Sequence, residues 1–220
     1  MDELGGFYRS EQVLSSAQRK KLKKKQRQYE EQLELDQRID SKIKLGEEEF
    51  DLIRGRLAEL GFKIHAIQPD GNCLFKSIEH QLKFYKESGL DVRCYSYKQL
   101  RQLSVDYLRD HKDDFKHFVA NFSGTAYLAT PAIYKYLPVG DTQSDADGLF
   151  DSYCSKMEKD GEWGSEIELQ ALSQLLACRI TVYNSATAIE YGNAGPFGVN
   201  VSFHRHQYVL GPHYNSVVPL

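Results

Sequence analysis

The sequence contains no run of about 18 apolar residues, so a membrane-spanning helix is excluded on length alone. Its opening, Met1-Asp2-Glu3-Leu4, lacks the basic-then-apolar pattern of a secretory leader. Cysteine is sparse: Cys73, Cys94, Cys154 and Cys178 are scattered at spacings that fit neither a zinc knuckle nor a redox pair. Without an export signal these thiols are expected to stay reduced, which places the protein in the cytoplasm, with the nucleus as a second compartment. Tryptophan occurs once, at position 163, and there is no internal repeat or low-complexity tract. Between Phe7 and Leu45 neither glycine nor proline appears, so nothing in that stretch interrupts a helix.

What is present is enough for a real core. With 220 residues, 41% hydrophobic and 12% aromatic, the chain fits one domain with an appendage or one larger domain, and needs no disulfide staples. The net charge of −3 hides an asymmetry, because residues 1–45 carry 11 Lys/Arg against 8 Asp/Glu and the remainder is acidic. Seven of the positive charges (Arg19, Lys20, Lys21, Lys23, Lys24, Lys25 and Arg27) fall within nine residues. Such a run binds phosphates in a salt-dependent way, serves as a nuclear address, or is simply a solvated helix face. No aromatic interleaving or RNA-reading motif accompanies it.

Periodicity divides the chain into a basic helical extension, 1–45, and a globular domain, 46–220. The leader's apolar stripe (Leu22, Tyr29, Leu33, Ile39, Ile43) is thin, which predicts a helix that depends on a partner, with Gly46 as its stop. A second helix follows on Phe50, Ile53, Leu57 and Leu60, closed by Gly61, and then a strand from Phe62 to Ile67. Pro69-Asp70-Gly71-Asn72 is a dense turn signal before a helix over Cys73–Glu87. Ser96 is placed to cap a helix carrying Leu100, Leu103 and Tyr107. Residues 121–147, with Pro131, Pro138 and Gly140, read as a long mobile connection. A helix then carries Phe150, Tyr153, Cys154 and Met157, and Ser165 with Glu168 forms a capping-box pattern opening another. Arg179–Tyr183, Val199–Phe203, Gln207–Leu210 and Tyr214–Val218 read as strands. Helices mostly first and strands mostly last indicate an α+β fold with a partly antiparallel sheet.

Cys73 stands where a tight polar loop enters an amphipathic helix. The unpaired N–H groups and partial positive charge of a helix N-terminus favour a thiolate and can hold an oxyanion. Gly71 and Asn72 belong to that loop, and Gly71 lets backbone approach closely. The bland alternative is a small buried residue at a helix start. Of seven histidines, His213 follows Gly211-Pro212 and has Asn215 two residues on, on the same side of a strand. That amide can accept from the imidazole and fix its tautomer, completing a nucleophile, base and orienting group. Otherwise His213 is an ordinary strand-edge histidine. His204 and His206 alternate on a strand, but no third ligand supports a metal, and no cofactor is indicated.

Three segments carry a resemblance. Asp70-Gly71-Asn72-Cys73-Leu74-Phe75, Trp163-Gly164-Ser165-Glu166-Ile167-Glu168-Leu169 and His213-Tyr214-Asn215-Ser216-Val217 resemble, in order, the signature blocks of the ovarian-tumour (OTU) domain cysteine proteases. The resemblance implies a papain-like fold, a mixed sheet packed between helices, and an isopeptidase acting on ubiquitin or polyubiquitin conjugates. It implies Cys73 as nucleophile, His213 as general base, Asn215 as orienting group, and Asp70 as an acidic residue of the Cys loop that shapes the oxyanion hole. Trp163 and Tyr214 are then candidates for the wall of the channel that takes ubiquitin's Gly-Gly tail. The lysine-rich leader resembles the subgroup with an N-terminal basic coiled coil, which implies ribosome or RNA contact through Arg19 to Arg27. The alternative is a ribosome- or RNA-bound adaptor that binds ubiquitin without cleaving it.

Overall fold

The structure is a computed structural model that describes residues 16–122, 146–208 and 211–220. It divides into two compact units, residues 1–41 and 42–220. Helix α1 spans Ser16–Glu59 and so contributes to both. Within the first unit it is supported by exposed side-chain pairs four residues apart, Gln26 to Glu30 at 3.0 Å, Arg27 to Glu31 at 2.9 Å and Gln32 to Asp36 at 2.8 Å. Each such pair adds about 0.2–0.5 kcal/mol to a helix. The apolar positions Leu22, Tyr29, Leu33, Ile39 and Ile43 are all exposed. Gly46 does not stop the helix, contrary to the sequence expectation. Its missing side chain serves a close approach instead, described below.

In the second unit the elements after α1 are β1 (Phe62–His65), α2 (Cys73–Glu87), α3 (Tyr97–Asp110), α4 (Lys112–Phe122), α5 (Ala146–Met157), α6 (Glu166–Leu175), β2 (Arg179–Tyr183), β3 (Ala188–Tyr191), β4 (Gly198–His204) and β5 (His213–Pro219). The described strands form one mixed sheet in the order β1-β5-β4-β2-β3. β2 and β4 run parallel and the other pairs antiparallel. The α+β expectation therefore holds. β3 and α4 were not anticipated. Gln207–Leu210 was expected to be a strand, but residues 207–208 form a bend and 209–210 lie outside the described residues, as does most of the connection expected at 121–147.

One face of the sheet carries the main core. Leu74, Phe75, Ile78 and Leu82 from α2 pack with Leu100, Val105 and Leu108 from α3, Phe150 and Tyr153 from α5, and Leu169 and Leu172 from α6, over Ile180, Val199, Val201 and Tyr214 of the sheet. On the other face the end of α1 lays Ile53 and Leu57 against Val217, with Phe62, Ile64 and Tyr183 around them. Burying each of these two aliphatic side chains is worth about 1.5–3 kcal/mol. Both ends of the chain's functional segment are thus fixed to one sheet: α2 begins above the strand, β5, that carries His213 and Asn215.

Candidate active site

α2 starts at Cys73 because the preceding turn closes on itself. The Asn72 N–H donates to Asp70 Oδ1 at 2.8 Å, and the Cys73 N–H to the Asp70 carbonyl at 3.2 Å. The Asp70 carboxylate also pairs with Lys76, one turn into the helix. Asp70 therefore shapes the loop and is not the partner of the imidazole. Gly71 is required for packing as much as for substrate: a Cβ there would lie 1.6 Å from the Gly161 carbonyl oxygen. Among the described residues the Gly71 N–H has no intramolecular acceptor, which leaves it available to an incoming oxyanion.

The separation of 140 positions between Cys73 and His213 is closed by the sheet. Cys73 Sγ accepts from the Tyr214 N–H at 3.5 Å, so the thiol sits against the strand beside His213. The His213 Nε2–H donates to Asn215 Oδ1 at 3.0 Å, and the Ile67 N–H donates to the same oxygen at 2.8 Å. Two donors converge on one amide oxygen, which fixes the Asn215 rotamer and leaves His213 Nδ1 as the unprotonated nitrogen. Both His213 and Asn215 are buried.

The electrostatics differ from the sequence expectation. Burial pushes the Cys73 thiol up to about 11, and the N–H groups of Tyr214 and Leu74 offset this only in part. Burial likewise lowers His213, against the opposing pull of Asn215, the Ile67 backbone and Asp70. The helix N-terminus does not by itself yield a standing thiolate, because desolvation outweighs it. Burial thus acts on both groups in the direction of the neutral thiol and the neutral imidazole.

Trp163, Tyr208 and Gly211 complete a cleft of about 110 Å³ with Pro69, Asp70, Gly71, Pro212 and His213. Pockets for compact small molecules are typically about 300–1,000 Å³, so this cleft is small by that measure. The Trp163 loop is held by α6, whose cap Ser165 donates its N–H to Glu168 Oε2 at 2.7 Å and accepts at Oγ from the Ile167 N–H at 3.3 Å. Tyr214, expected in the channel wall, is not there. Its side chain is in the core, 4.8 Å from the Phe203 ring. Alternation along β5 places positions 213 and 215 on one face and 214 on the other. The aromatic that faces the imidazole is Tyr208, centroid to centroid 4.3 Å from His213. His204 is buried, stacked on Phe50, and no group of three or more His, Cys, Asp or Glu able to hold a metal occurs among the described residues.

Sequence reasoning missed Arg101. The buried face of α3 is Leu100, Arg101, Ser104, Val105 and Leu108, rotated from the expected stripe of Leu100, Leu103 and Tyr107. The Arg101 guanidinium donates to the Gly71 carbonyl at 3.1 Å, Asn72 Oδ1 at 2.6 Å, the Glu162 carbonyl at 2.7 Å and the Met157 carbonyl at 3.0 Å. It also lies 4.4 Å from the Phe75 ring centroid. Asn72 Oδ1 accepts from the Gly161 N–H as well, at 3.2 Å. Asn72 is thus a strut between the Cys loop and the 158–164 loop. The only sequence signal was an arginine in register with apolar neighbours.

Comparison with known proteins agrees with this geometry. The family model for OTU-like cysteine proteases matches residues 68–214. OTU domain-containing protein 2 of Saccharomyces cerevisiae is 34% identical over 153 residues, covering 69% of this chain and 43% of its own. Deubiquitinase OTUD6B of Xenopus tropicalis is 32% identical over 166 residues, covering 73% and 48%. The chain therefore spans less than half the length of these relatives. Among solved structures, the OTUD1 OTU domain superposes with a TM-score of 0.53 at 19% identity, over 80% of this chain and 99% of that one.

Replacing Arg101 by lysine removes the planar fork that serves four acceptors at once. Arg101→Lys is expected to lower stability by about 2–4 kcal/mol in urea unfolding, because a point charge cannot reach all those oxygens. Unchanged stability would mean the clamp is not what holds the Cys loop.

Proposed function

The chain belongs to the OTU-like cysteine protease family, and from that premise we propose that it is a deubiquitinase, cleaving isopeptide bonds at the C-terminal glycine of ubiquitin conjugates. One observation carries the proposal. A buried thiol lies against the strand that holds an oriented imidazole, and that imidazole lines a small cleft with Gly71, Trp163 and Gly211. A Gly-Gly tail is the kind of chain such a slot accepts.

In this reading Cys73 gives its proton to His213 Nδ1 and attacks the glycine carbonyl carbon. The carbonyl oxygen becomes an anion and is received by the Gly71 N–H of the Cys loop. As the carbon–nitrogen bond breaks, the imidazolium returns the proton to the departing lysine amine. Water, deprotonated by His213, then hydrolyses the thioester and frees the thiol. Asn215 keeps the Nε2–H in place throughout. As a neutral amide it stabilises the imidazolium less than a carboxylate would.

The decisive test is capture by ubiquitin bearing a C-terminal electrophile. Wild-type protein is expected to form a covalent adduct and Cys73→Ala none; wild-type protein that binds ubiquitin but forms no adduct would indicate the adaptor reading. The pH dependence has a definite sign. His213 is held below its ordinary value of 6.5, so its base form persists to lower pH, and the acid limb of kcat/KM should have its midpoint below 6.5. Because Cys73 is pushed up to about 11, no alkaline limb is expected near the ordinary thiol value of 9.0. Limbs at the ordinary values would contradict the neutral resting pair.

For the leader, the reading is an electrostatic handle for ribosomal or other RNA, with its exposed apolar positions available for coiled-coil pairing. Support is limited to the run of Lys20, Lys21, Lys23, Lys24, Lys25 and Arg27 on a continuous helix. Removing residues 1–41 should abolish salt-sensitive RNA co-sedimentation and leave cleavage of a fluorogenic ubiquitin amide intact. Equal co-sedimentation of the truncated protein would dismiss the handle.

A further inference from the structure

Gly46 sits in mid-helix, where glycine costs about 1 kcal/mol relative to alanine. The reason is contact. A Cβ at 46 would lie 2.6 Å from the His206 carbonyl oxygen and 2.8 Å from the Gln207 Cα, both backbone atoms. One turn on, Glu49 is buried at 8% exposure and accepts the His206 N–H at Oε2, 2.7 Å away. Among the described residues Glu49 forms no ion pair, so a desolvated carboxylate is retained to receive one backbone N–H. Desolvating a charge is costly, and its best compensation here is that hydrogen bond. Phe50 adds a ring contact on His204 at 5.7 Å, and His204 is the direct cross-strand partner of His213.

The segment gripped in this way leads straight to the reacting groups. Two residues beyond His206, the Tyr208 ring stands edge-on to the His213 imidazole at 4.3 Å. The Gly211 N–H closes back on the Tyr208 carbonyl at 3.1 Å, and Gly211 lies against the Trp163 ring. The β4–β5 connection therefore touches α1 at its entry, and both the imidazole and the channel tryptophan further on.

We infer that residues 46–50 of α1 form a positioning element for the general base, in which Glu49 anchors the β4–β5 connection so that the Tyr208 ring holds the His213 imidazole in place. Glu49 touches neither substrate nor the reacting atoms; it acts through the connection. The inference rests on the hydrolase reading of Cys73 and His213, and it adds to the catalytic apparatus a segment outside the 68–214 family match.

The test uses the full chain with a fluorogenic ubiquitin amide. Glu49→Ala is expected to lower kcat about tenfold or more with KM within about twofold, since a charge-assisted hydrogen bond is lost away from the binding cleft. Glu49→Gln retains an acceptor oxygen and should restore most of the rate. Gly46→Ala keeps the Glu49 carboxylate and should also lower kcat, with a modestly lower thermal midpoint, because its Cβ has to displace the His206–Gln207 backbone. That variant keeps the test decisive where Glu49→Ala fails to fold. Folded Glu49→Ala and Gly46→Ala proteins with wild-type kcat would overturn the inference. If wild-type protein does not cleave the ubiquitin amide, the hydrolase reading fails separately. The positioning claim is then read from iodoacetamide alkylation of Cys73, followed by mass spectrometry of its peptide. A slower rate in both variants supports it, and an unchanged rate refutes it.

Discussion

The site depends on a buried cation whose partners are carbonyl oxygens. Arg101 enters the core from α3 and meets the Gly71, Met157 and Glu162 carbonyls together with Asn72 Oδ1. Burial lowers the guanidinium pKa, while Glu168, Asp160, Glu162 and Asp70 act on it from a distance in the opposite sense. Its fork geometry matters more than its charge, because four oxygens from three separate chain segments have to be satisfied together. The turn before Cys73, the end of α5 and the loop leading to Trp163 are thereby one assembly. Cys73 and Trp163 cannot shift independently without leaving buried polar groups unpaired.

A neutral site follows from the same burial. Desolvation acts on both members of the pair in the direction that removes charge, raising the thiol and lowering the imidazole. An uncharged orienting amide suits that state, since a carboxylate at 215 would place a buried charge beside a neutral imidazole. On the proposed hydrolase reading, the ion pair needed for attack is created by moving one proton, and the groups that would receive the resulting charges are already in place. The Tyr214 N–H lies on the sulfur and the Asn215 oxygen on the imidazole. The penalty on the resting thiolate also limits stray chemistry at the sulfur, because the thiol, not the thiolate, predominates at neutral pH.

How much of this was legible depended on whether the signal was local. The helix from Cys73 to Glu87 and the Ser165–Glu168 cap were readable, because turn chemistry and reciprocal capping are written in adjacent residues. The pairing of His213 with Asn215 was readable from strand alternation, and the same alternation, applied one residue further, would have put Tyr214 in the core. Gly46 misled because a glycine in a helix has two explanations, a stop or a close neighbour. The neighbour, His206, is 160 residues away in sequence. Arg101 was invisible for the same reason: an arginine on an apolar face reads as an error in the stripe until its distant acceptors are known. β3 was lost because Ala188–Tyr191 is a four-residue edge strand with exposed alternate positions.

The folded unit is also larger than the segment that carries the family signature. The match begins at residue 68, yet the Ile67 N–H completes the coordination of the Asn215 oxygen. β1 pairs along β5 from Phe62 opposite Pro219 to His65 opposite Ser216, so the strand bearing His213 is an interior strand only because residues 62–65 cover its edge. Behind the sheet, Ile53 and Leu57 cover Val217 on the face that His213 and Asn215 share. Cutting the chain at the start of the signature would strip one edge and one face from the catalytic strand while leaving every signature residue in place. The family is named by the residues of the match, but the geometry around His213 and Asn215 also rests on the end of α1 and on β1, which precede it.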